Sequence, residues 1–296
     1  MKRRTLLLVP LLALARQPSG HAGPAAVLIL TDGRVTQYRE ALDAAREVLR
    51  DAAVVDLNEP DAAARVAPAA IILTIGQRAA QLAQSSAPSA VLVSCMVFGR
   101  AVAGSRRITG LRLEVAPDVQ LGFFRRVHSG LRRLGVIYQA KVSGDYLAEA
   151  QRAAVALGLT LVPRAVTDAR EVRSTLPELV SGIDALWLLP DPQLISADML
   201  NFLLVSTLER KLPLLGFLDS FTKVGALAAV APDYKAIGQR AARLAAELAA
   251  RPLEARLPVP PMADSPGSFS LNLKTARQLG IDIPADVVAA ANQVYR

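Results

Sequence analysis

The sequence predicts an α/β protein built from two doubly wound halves. Hydrophobic residues make up 52% of its 296 residues, but aromatic residues only 4%. Short apolar runs alternate with amphipathic stretches, and this scheme occurs twice along the chain. An excess of Ala, Leu and Val with few aromatics favours helices packed on a parallel sheet over an aromatic-rich β-sandwich. The length suits two domains of ordinary size.

The first residues predict export from the cytoplasm. "MKRRTLLLVPLLALARQPSGHAG" has a basic start, an apolar run from Thr5 to Ala15, and then small and polar residues. This order is typical of a cleavable signal peptide, which we predict over residues 1–22. The alternative, a membrane anchor, needs about 20 apolar residues, more than this run supplies. Cleavage after Ala22 removes four basic residues, so the formal net charge falls from +8 to +4. A periplasmic protein is expected.

Continuous apolar runs mark the strands of the first half. The runs "AAVLILTD", "AAVVDL", "AAIILTIG" and "SAVLVSC" contain no alternation of polar residues, as expected for a parallel sheet buried on both faces. The segments "TQYREALDAAREVLRD" and "QRAAQLAQSS" between them show helical spacing of apolar residues. The pattern predicts a doubly wound β-α-β-α-β unit.

The second half repeats this scheme after "RITGLRLEVAPDVQ". Pro117 is predicted to open a helix, with Asp118 in its first turn. Strands from "RLGVIYQ" to "PLLGFL" then alternate with helices. The small residues of "GALAAVAP" predict a strand that carries the chain back, so that a helix beginning near Asp233 packs on the first half. A strand "SFSLNL" and a helix from Lys274 follow.

The sequence lacks the usual signatures of catalysis. His128 is the only histidine beyond the signal segment, and it is far in sequence from the single cysteine, Cys95. These two residues supply neither a nucleophile–base pair nor a zinc site, and no P-loop, GxGxxG or GxSxG motif occurs. Basic residues are spread as on solvated helix faces, which argues against nucleic acid as a partner. No enzyme, cofactor or metal is expected, although paired carboxylates leave a hydrolytic centre as an alternative.

Polar residues recur at the carboxyl ends of the predicted strands. They are Thr31, Asp32, Thr74, Gln77, Ser94, Tyr138, Gln139, Asp191, Asp219 and Ser220. Ligands bind at this edge of open parallel sheets, and two such edges facing each other would form one cleft. Each residue alone could be an ordinary strand-to-helix cap, but the recurrence in both halves favours a ligand site. Thr222 is expected at the same edge, and Lys223 could pair with a ligand acid, with Asp219 or with a solvent-facing neighbour.

Three segments resemble a known family. They are "ALWLLPDPQLISADML", "PLLGFLDSFTKVGALAAVAPDYKAIGQRAA" and "SLNLKTARQLGIDIP". They resemble the periplasmic substrate-binding proteins of ABC transporters with the type I binding-protein fold, in particular the tryptophan or aromatic-amino-acid group. The resemblance implies two Rossmann-like lobes joined by a three-strand hinge, a small ligand closed between them, and delivery to a membrane permease. It places lobe one at 24–115 and 231–264, and lobe two at 116–230 and 265–296.

The chain departs from the pattern of that family at two strand ends. Gln77 and Arg78 stand where the family usually has Thr-Pro or Ser, and Ser94-Cys95-Met96 replaces a typical Thr-Asp-Pro. The aspartate suited to a ligand ammonium group is therefore missing, and a Gly-rich stretch is shortened in "MVFGRAVAGSRRITG". These departures predict a less cationic ligand than an amino acid, or a role outside uptake.

The leading hypothesis is a monomeric, non-catalytic periplasmic solute-binding protein of an ABC-type uptake system. Its predicted ligand-binding residues are Asp32, Thr74, Gln77 and Met96 from lobe one, and Tyr138, Asp191, Asp219 and Lys223 from lobe two. Hinge closure would enclose a small organic molecule between them. The alternative is a periplasmic sensory or envelope-assembly module that uses the same clamp without transport. A third reading, a two-lobed hydrolase or transferase, requires converging carboxylates.

Overall fold

The computed structural model describes residues 26–98, 106–191, 193–252 and 255–296. The predicted signal peptide lies outside these residues, as does most of the segment following Phe98. The described chain forms two sheets, each covered by helices on both faces. In this part of the chain, no helix is both long enough and apolar enough to cross a membrane.

The first sheet has six strands in the order β11-β5-β4-β3-β1-β2, and all of its pairs are parallel. Its strands are β1 Val27–Thr31, β2 Ala53–Asp56, β3 Ile71–Ile75, β4 Val91–Val97, β5 Ile108–Val115 and β11 Ala263–Ser265. Strands β3 and β4 are buried along their whole length, which explains their unbroken apolar sequences. We call this sheet and its helices lobe one.

Four helices cover the first sheet. They are α1 Thr36–Val48, α2 Ala62–Val66, α3 Gln77–Ser86 and α9 Tyr234–Ala250. Helices α1 and α9 pack against each other over one face, whereas α2 and α3 cover the other. A side chain at Gly238 of α9 would overlap the backbone carbonyl oxygen of Ala41 in α1, so glycine permits this close approach. The late helix α9 thus belongs to lobe one, as the sequence predicted.

The second sheet has seven strands in the order β13-β12-β10-β9-β8-β6-β7. They are β6 Arg133–Tyr138, β7 Thr160–Ala165, β8 Ala185–Trp187, β9 Leu214–Gly216, β10 Ala228–Pro232, β12 Gly267–Asn272 and β13 Gln293–Tyr295. Only the pair of β10 and β12 is antiparallel. This sheet and its helices form lobe two.

The helices of lobe two lie on both faces of its sheet. They are α4 Pro117–Val127, α5 Ala140–Ala156, α6 Glu171–Val180, α7 Ala197–Leu208, α8 Asp219–Val224, α10 Leu273–Leu279 and α11 Ala285–Ala290. Helix α4 begins at Pro117 with Asp118 in its first turn, as predicted. Trp187 of β8 is fully buried against Phe124 of α4, with ring centroids 6.3 Å apart, and anchors one of the two cores of this lobe.

The chain crosses between the two sheets three times. The crossings run from β5 into α4, from β10 into α9 and from β11 into β12. They lie side by side: a Cβ at Gly267 would be 3.0 Å from a methyl group of Val230 and 3.3 Å from one of Val115. Two doubly wound lobes joined by a three-strand hinge are therefore confirmed. The predicted lobe limits stay a prediction.

One polar segment differs from its expected structure. Residues 219–224 form the short helix α8 rather than an open strand end. Thr222 lies on the inner face of α8, where it is fully buried and its hydroxyl accepts a hydrogen bond from Ser270 at 2.9 Å. The prediction that Thr222 lies at the cleft edge is therefore wrong, because this hydroxyl holds α8 to strand β12.

Candidate ligand-binding cleft

Two cavities lie between the lobes, next to the hinge. The first, which we call the apolar cavity, has a volume of about 120 Å³. It is lined by residues from the ends of β4, β8 and β9 and from the crossings: Phe98, Leu113, Glu114, Val115, Gln120, Pro190, Phe217, Leu218, Val230, Pro232 and Tyr234. Both lobes therefore contribute to its wall, so a bound group would touch both at once.

The second cavity, which we call the polar cavity, has a volume of about 600 Å³. It lies between α1 of lobe one and the beginning of α8 in lobe two, and its lining includes Gln37, Glu40, Asp219, Ser220 and Asn292. Leu218, Pro232 and Tyr234 line both cavities and form the wall between them. The two cavities together offer an apolar end and a polar end along one cleft.

A larger depression is found elsewhere, at the opposite end of lobe one. It has a volume of about 720 Å³ and lies at the amino end of β1, between the carboxyl end of α1 and the end of α9. Its lining comes from lobe one alone. Because ligands of doubly wound folds bind at the carboxyl edge of the sheet, we place the candidate site in the cleft.

Asp32 lies at the carboxyl end of β1, where it joins two arginines. Its carboxylate accepts hydrogen bonds from Arg34 Nε at 3.1 Å, from Arg78 at 2.9 Å and from Asn58 Nδ2 at 2.8 Å. The Arg34 hydrogen bond is the largest cause that lowers the pKa of Asp32 to about 2. Asp32 is only 5% exposed, whereas the side chains of Arg34 and Arg78 are 65% and 63% exposed. The Asp32 carboxylate is therefore shielded from solvent, whereas the two guanidinium groups are exposed and present hydrogen-bond donors at this edge.

Thr74 and Met96, also predicted for lobe one, face its interior. The hydroxyl of Thr74 donates to the hydroxyl of Ser94 at 2.8 Å, and both residues are fully buried. Met96 has a φ of 59°, at an irregularity of β4 between Ser94 and Val97, and packs in the core with 4% exposure. Gln77 begins α3, and its buried Oε1 has no hydrogen-bond partner within the described ranges.

In lobe two, Tyr138 and Asp191 follow strands as predicted. Tyr138 is the last residue of β6 and packs, half-buried, against the core. Asp191 is 1% exposed and accepts hydrogen bonds from the backbone amides of Gln193 and Leu194, at 3.1 and 3.3 Å. Its other oxygen accepts from Ser143 at 3.3 Å. Asp191 thus fixes the loop that places Pro190 in the apolar cavity.

Asp219, a predicted ligand-binding residue, lines the polar cavity between the lobes. It begins α8, and its Oδ2 accepts a hydrogen bond from the Tyr295 hydroxyl at 2.6 Å. Burial, followed by this hydrogen bond, raises the pKa of Tyr295 to about 12. The other oxygen, Oδ1, is buried without a partner in the described part of the chain. Lys223 lies exposed in the last turn of α8. The hydrogen bond to Asp219 comes from Tyr295 and not from Lys223.

The structure adds residues that the search for polar strand ends missed. Phe98 and Phe217 directly follow β4 and β9, so the strand-end rule could have found them had apolar residues been included. Gln120 and Tyr234 carry no such signal, because they line the cavity only once the crossings are packed. The ligand roles of all eight predicted residues stay predictions. Within the described ranges, no three His, Cys, Asp or Glu side chains group together as a metal site would require.

Two hinged, doubly wound lobes with cavities between their carboxyl edges define a two-lobed ligand-binding protein. The sequence model of the family described as ABC transporter substrate binding protein matches residues 71–295, well over half of the chain. The chain belongs to this family, so it is a solute-binding protein, and the family implies binding rather than catalysis. Members of the family are generally extracytoplasmic. No curated protein matches the chain.

Solved structures show the type I periplasmic binding protein fold. The ABC domain in complex with L-Trp from Streptococcus pneumonia is 21% identical, covers 92% of this chain and 100% of its own, and has a TM-score of 0.62. A ligand-free, open substrate-binding protein with adhesive properties from Clostridium difficile is 18% identical, with coverages of 92% and 99% and a TM-score of 0.74. A substrate-binding protein from Desulfitobacterium hafniense in complex with Leu is 15% identical, with coverages of 76% and 83% and a TM-score of 0.53.

Proposed function

We propose that this protein is the periplasmic component of an ABC-type uptake system and that its lobes close over one small organic ligand. The supporting observation is the pair of cavities, each lined by residues of both lobes and of the hinge. A ligand shifts such an equilibrium only by its differential affinity for the two states. Contacts made with both lobes at once exist only in the closed state, which the membrane permease would then recognise.

The exposed arginines and Asp219 give the proposed ligand its polar contacts. Arg34 and Arg78 each use part of their donors on Asp32, and an arginine has five. The remaining donors suit a carboxylate or another oxygen-rich group. Across the cleft, the Asp219 carboxylate lines the polar cavity and suits a ligand donor. The proposed ligand therefore has an oxygen-rich group toward lobe one and a donor toward lobe two.

The proposed location depends on the first 22 residues acting as a cleavable signal peptide. The proposed lobe limits are 24–115 with 231–264, and 116–230 with 265–296. Fractionation of the producing cells, followed by an intact mass measurement, tests the first proposal. A mature chain beginning at Gly23 in the periplasmic fraction is the expected result, and an uncleaved chain would contradict it.

The ligand itself is sought by mass spectrometry of small molecules released when protein purified from the periplasm is denatured. The expected result is one compound in near-stoichiometric amount, which raises the melting temperature when added back, because it binds the native state. If no compound is released, and no amino acid, sugar or organic acid raises the melting temperature, the proposed function is wrong.

An arginine substitution tests the proposed ligand contact at the carboxyl edge of lobe one. With the recovered compound, Arg78→Gln is expected to weaken binding about tenfold, since a charge-assisted hydrogen bond is lost. Arg65→Gln is the matched control: Arg65 is also a partly exposed arginine in an ion pair, with Glu59, but it lies on α2. Equal affinities of the two variants would remove Arg78 from the site.

A further inference from the structure

The outer surface of lobe two carries a group of exposed apolar side chains. Among the described residues, six large apolar side chains are exposed, and three of them, Val205, Leu208 and Val224, lie on helices α7 and α8. Their exposed fractions are 58%, 41% and 57%. A single exposed apolar side chain is normal on a protein surface, whereas a group of them indicates a contact with a partner.

Helix α7, with the sequence ADMLNFLLVSTL, carries apolar residues on both of its sides. Leu200 and Leu203 face one of the two cores of lobe two. Val205 and Leu208, three residues apart, lie on the outer side of the same helix. A helix that packs on one side only normally has polar residues on its outer face. The outer face of α7 is therefore suited to a second contact.

The end of α8 adjoins both α7 and α10. A Cβ at Gly225, directly after α8, would be 3.5 Å from Cδ2 of Leu204 on α7. The Thr275 hydroxyl of α10 donates to the carbonyl oxygen of Gly225 at 3.0 Å. The last turn of α8, which contains Val224, thus joins α7 to α10 in one continuous surface.

The charge of this surface comes mainly from lysines. Lys211 follows α7, Lys223 lies in the last turn of α8 and Lys274 in the first turn of α10, and all three are exposed. Within the described ranges, none of the three forms an ion pair. Glu209 and Arg210, at the end of α7, offset each other in charge. The surface therefore combines apolar side chains with an excess of positive charge.

The same surface lies at the edge of lobe two that is remote from the cleft. Phe217 directly follows β9 and Pro232 ends β10, and both line the apolar cavity. Helix α7 leads into the opposite, amino end of β9, and α8 leads into the amino end of β10. A partner bound to this surface would therefore not cover the cleft.

We propose that this surface docks onto an anionic lipid membrane. We call it the α7 surface, and it consists of Val205, Leu208, Val224, Lys211, Lys223 and Lys274. Apolar side chains of this kind enter the headgroup region of a bilayer, while lysines lie against acidic headgroups. A symmetric contact between two copies of the chain would instead set the lysines of both copies against each other. The inference goes beyond the proposed function and does not depend on the ligand.

Vesicle cosedimentation of the protein purified from the producing cells tests the proposal. The probes are vesicles of phosphatidylcholine alone and vesicles of an equal mixture with phosphatidylglycerol. The partition coefficient is expected to be at least about tenfold higher for the anionic vesicles, because each lysine near such a surface contributes roughly a factor of five. High salt should reduce this difference by screening. Equal partitioning into both kinds of vesicle, or binding to neither, overturns the proposal.

An aspartate substitution assigns the binding to the α7 surface. Val205→Asp is expected to lower partitioning into the anionic vesicles at least about fivefold, because an apolar contact is lost and a negative charge faces acidic lipids. Val155→Asp is the matched control: Val155 is 78% exposed on α5, which packs on the other core of lobe two. Both variants change the net charge equally and retain the same amino-terminal segment. Equal partitioning of the two variants overturns the proposal.

A lysine substitution tests the charged part of the surface. Lys274→Gln is expected to lower partitioning into the anionic vesicles about fivefold. Lys235→Gln removes an exposed lysine of α9 in lobe one and should leave vesicle binding near the wild-type value. Equal losses in both variants would show that net charge alone causes the binding, and would overturn the assignment to the α7 surface.

Sedimentation velocity measurements distinguish a lipid surface from a second copy of the chain. The wild-type protein is expected to show no self-association through this face, because its lysines repel one another. Self-association that Val205→Asp abolishes and Val155→Asp keeps would overturn the proposal and assign the α7 surface to a contact between two copies.

Discussion

Arg112 of β5 donates hydrogen bonds to both carboxylate oxygens of Glu149 on α5, at N–O distances of 3.2 and 3.4 Å. The same guanidinium donates from Nε to Asp264 of β11 at 2.9 Å. Arg112 and Asp264 belong to lobe one and Glu149 to lobe two, so this ion pair connects the lobes beside the hinge. The Arg112 side chain is 26% exposed and that of Glu149 is 35% exposed.

Glu149→Gln should shift the balance between the conformations of the two lobes. The ion pair stabilises the arrangement described above by up to about 1 kcal/mol, because water partly screens it. Its loss is expected to lower the population of this arrangement, relative to other orientations of the lobes, by up to about fivefold. Single-molecule fluorescence transfer between dyes on cysteines that replace Ser85 and Val155 measures the two populations. Glu178→Gln, an exposed substitution on α6, is the control. Identical transfer distributions for the two variants would show that the pair does not influence the hinge.

Asp32→Asn should lower stability in a pH-dependent way. The pKa of Asp32 is lowered to about 2 in the folded chain, so its ionised form stabilises folding above the unfolded pKa of about 4 and loses this effect as pH falls toward 2. The expected loss is about 1 kcal/mol at pH 7, because both arginine partners are well exposed. Urea denaturation between pH 7 and 3 should show the difference from wild type narrowing below pH 4.

The control for this substitution is Asp61→Asn. Asp61 precedes α2, where its side chain makes no capping hydrogen bond. This variant should follow the wild type throughout the pH range. A difference between Asp32→Asn and the wild type that stays constant down to pH 3 would show that charge on Asp32 is not what matters.

Gly238→Ala should push α9 away from α1. The added methyl group would overlap the backbone of Ala41, and such overpacking costs about 1–3 kcal/mol. Gly144→Ala is a matched control, since both glycines are fifth in helices of 17 residues, but a Cβ at Gly144 meets nothing within 4 Å. Gly144→Ala should gain up to about 1 kcal/mol from helix propensity. Urea midpoints that move in the same direction would contradict this account of the α1–α9 contact.

Cys95 should be unreactive in the native protein. It lies in the central strand β4, fully buried, and burial raises its pKa to about 12. Because the thiolate is the reacting form, labelling by a disulfide reagent at pH 8 is expected to be at least about 1,000-fold slower than for a cysteine replacing the exposed Ser85. In guanidinium chloride both should react alike. Labelling of native Cys95 within minutes would indicate that lobe one opens readily.

The sequence predicts those strands and helices whose pattern of apolar residues matches their burial in the fold. Strands such as β3 and β4 are apolar throughout because both faces are covered. Strand β5 was not predicted, because Arg112 and Glu114 interrupt it where it leaves the core for the hinge. Strands β11 and β13 have three residues each and are mostly polar, so their structure depends on pairing with distant strands.

The candidate site was less predictable because its walls come from distant parts of the chain. The strand-end rule placed Asp219 at the polar cavity. It did not anticipate that Thr74 and Ser94 would bond to each other, which turns a predicted ligand contact into a link between strands. No local pattern contains that information.

The three crossings also set the order in which the molecule can be completed during synthesis. The six-stranded sheet lacks an edge until Ala263–Ser265 has been made, and the seven-stranded sheet waits for Gly267–Asn272 and Gln293–Tyr295. In a growing chain, each of the two sheets therefore has an unpaired strand edge until translation is nearly finished. Truncation near residue 260 would leave two unfinished halves rather than one finished domain.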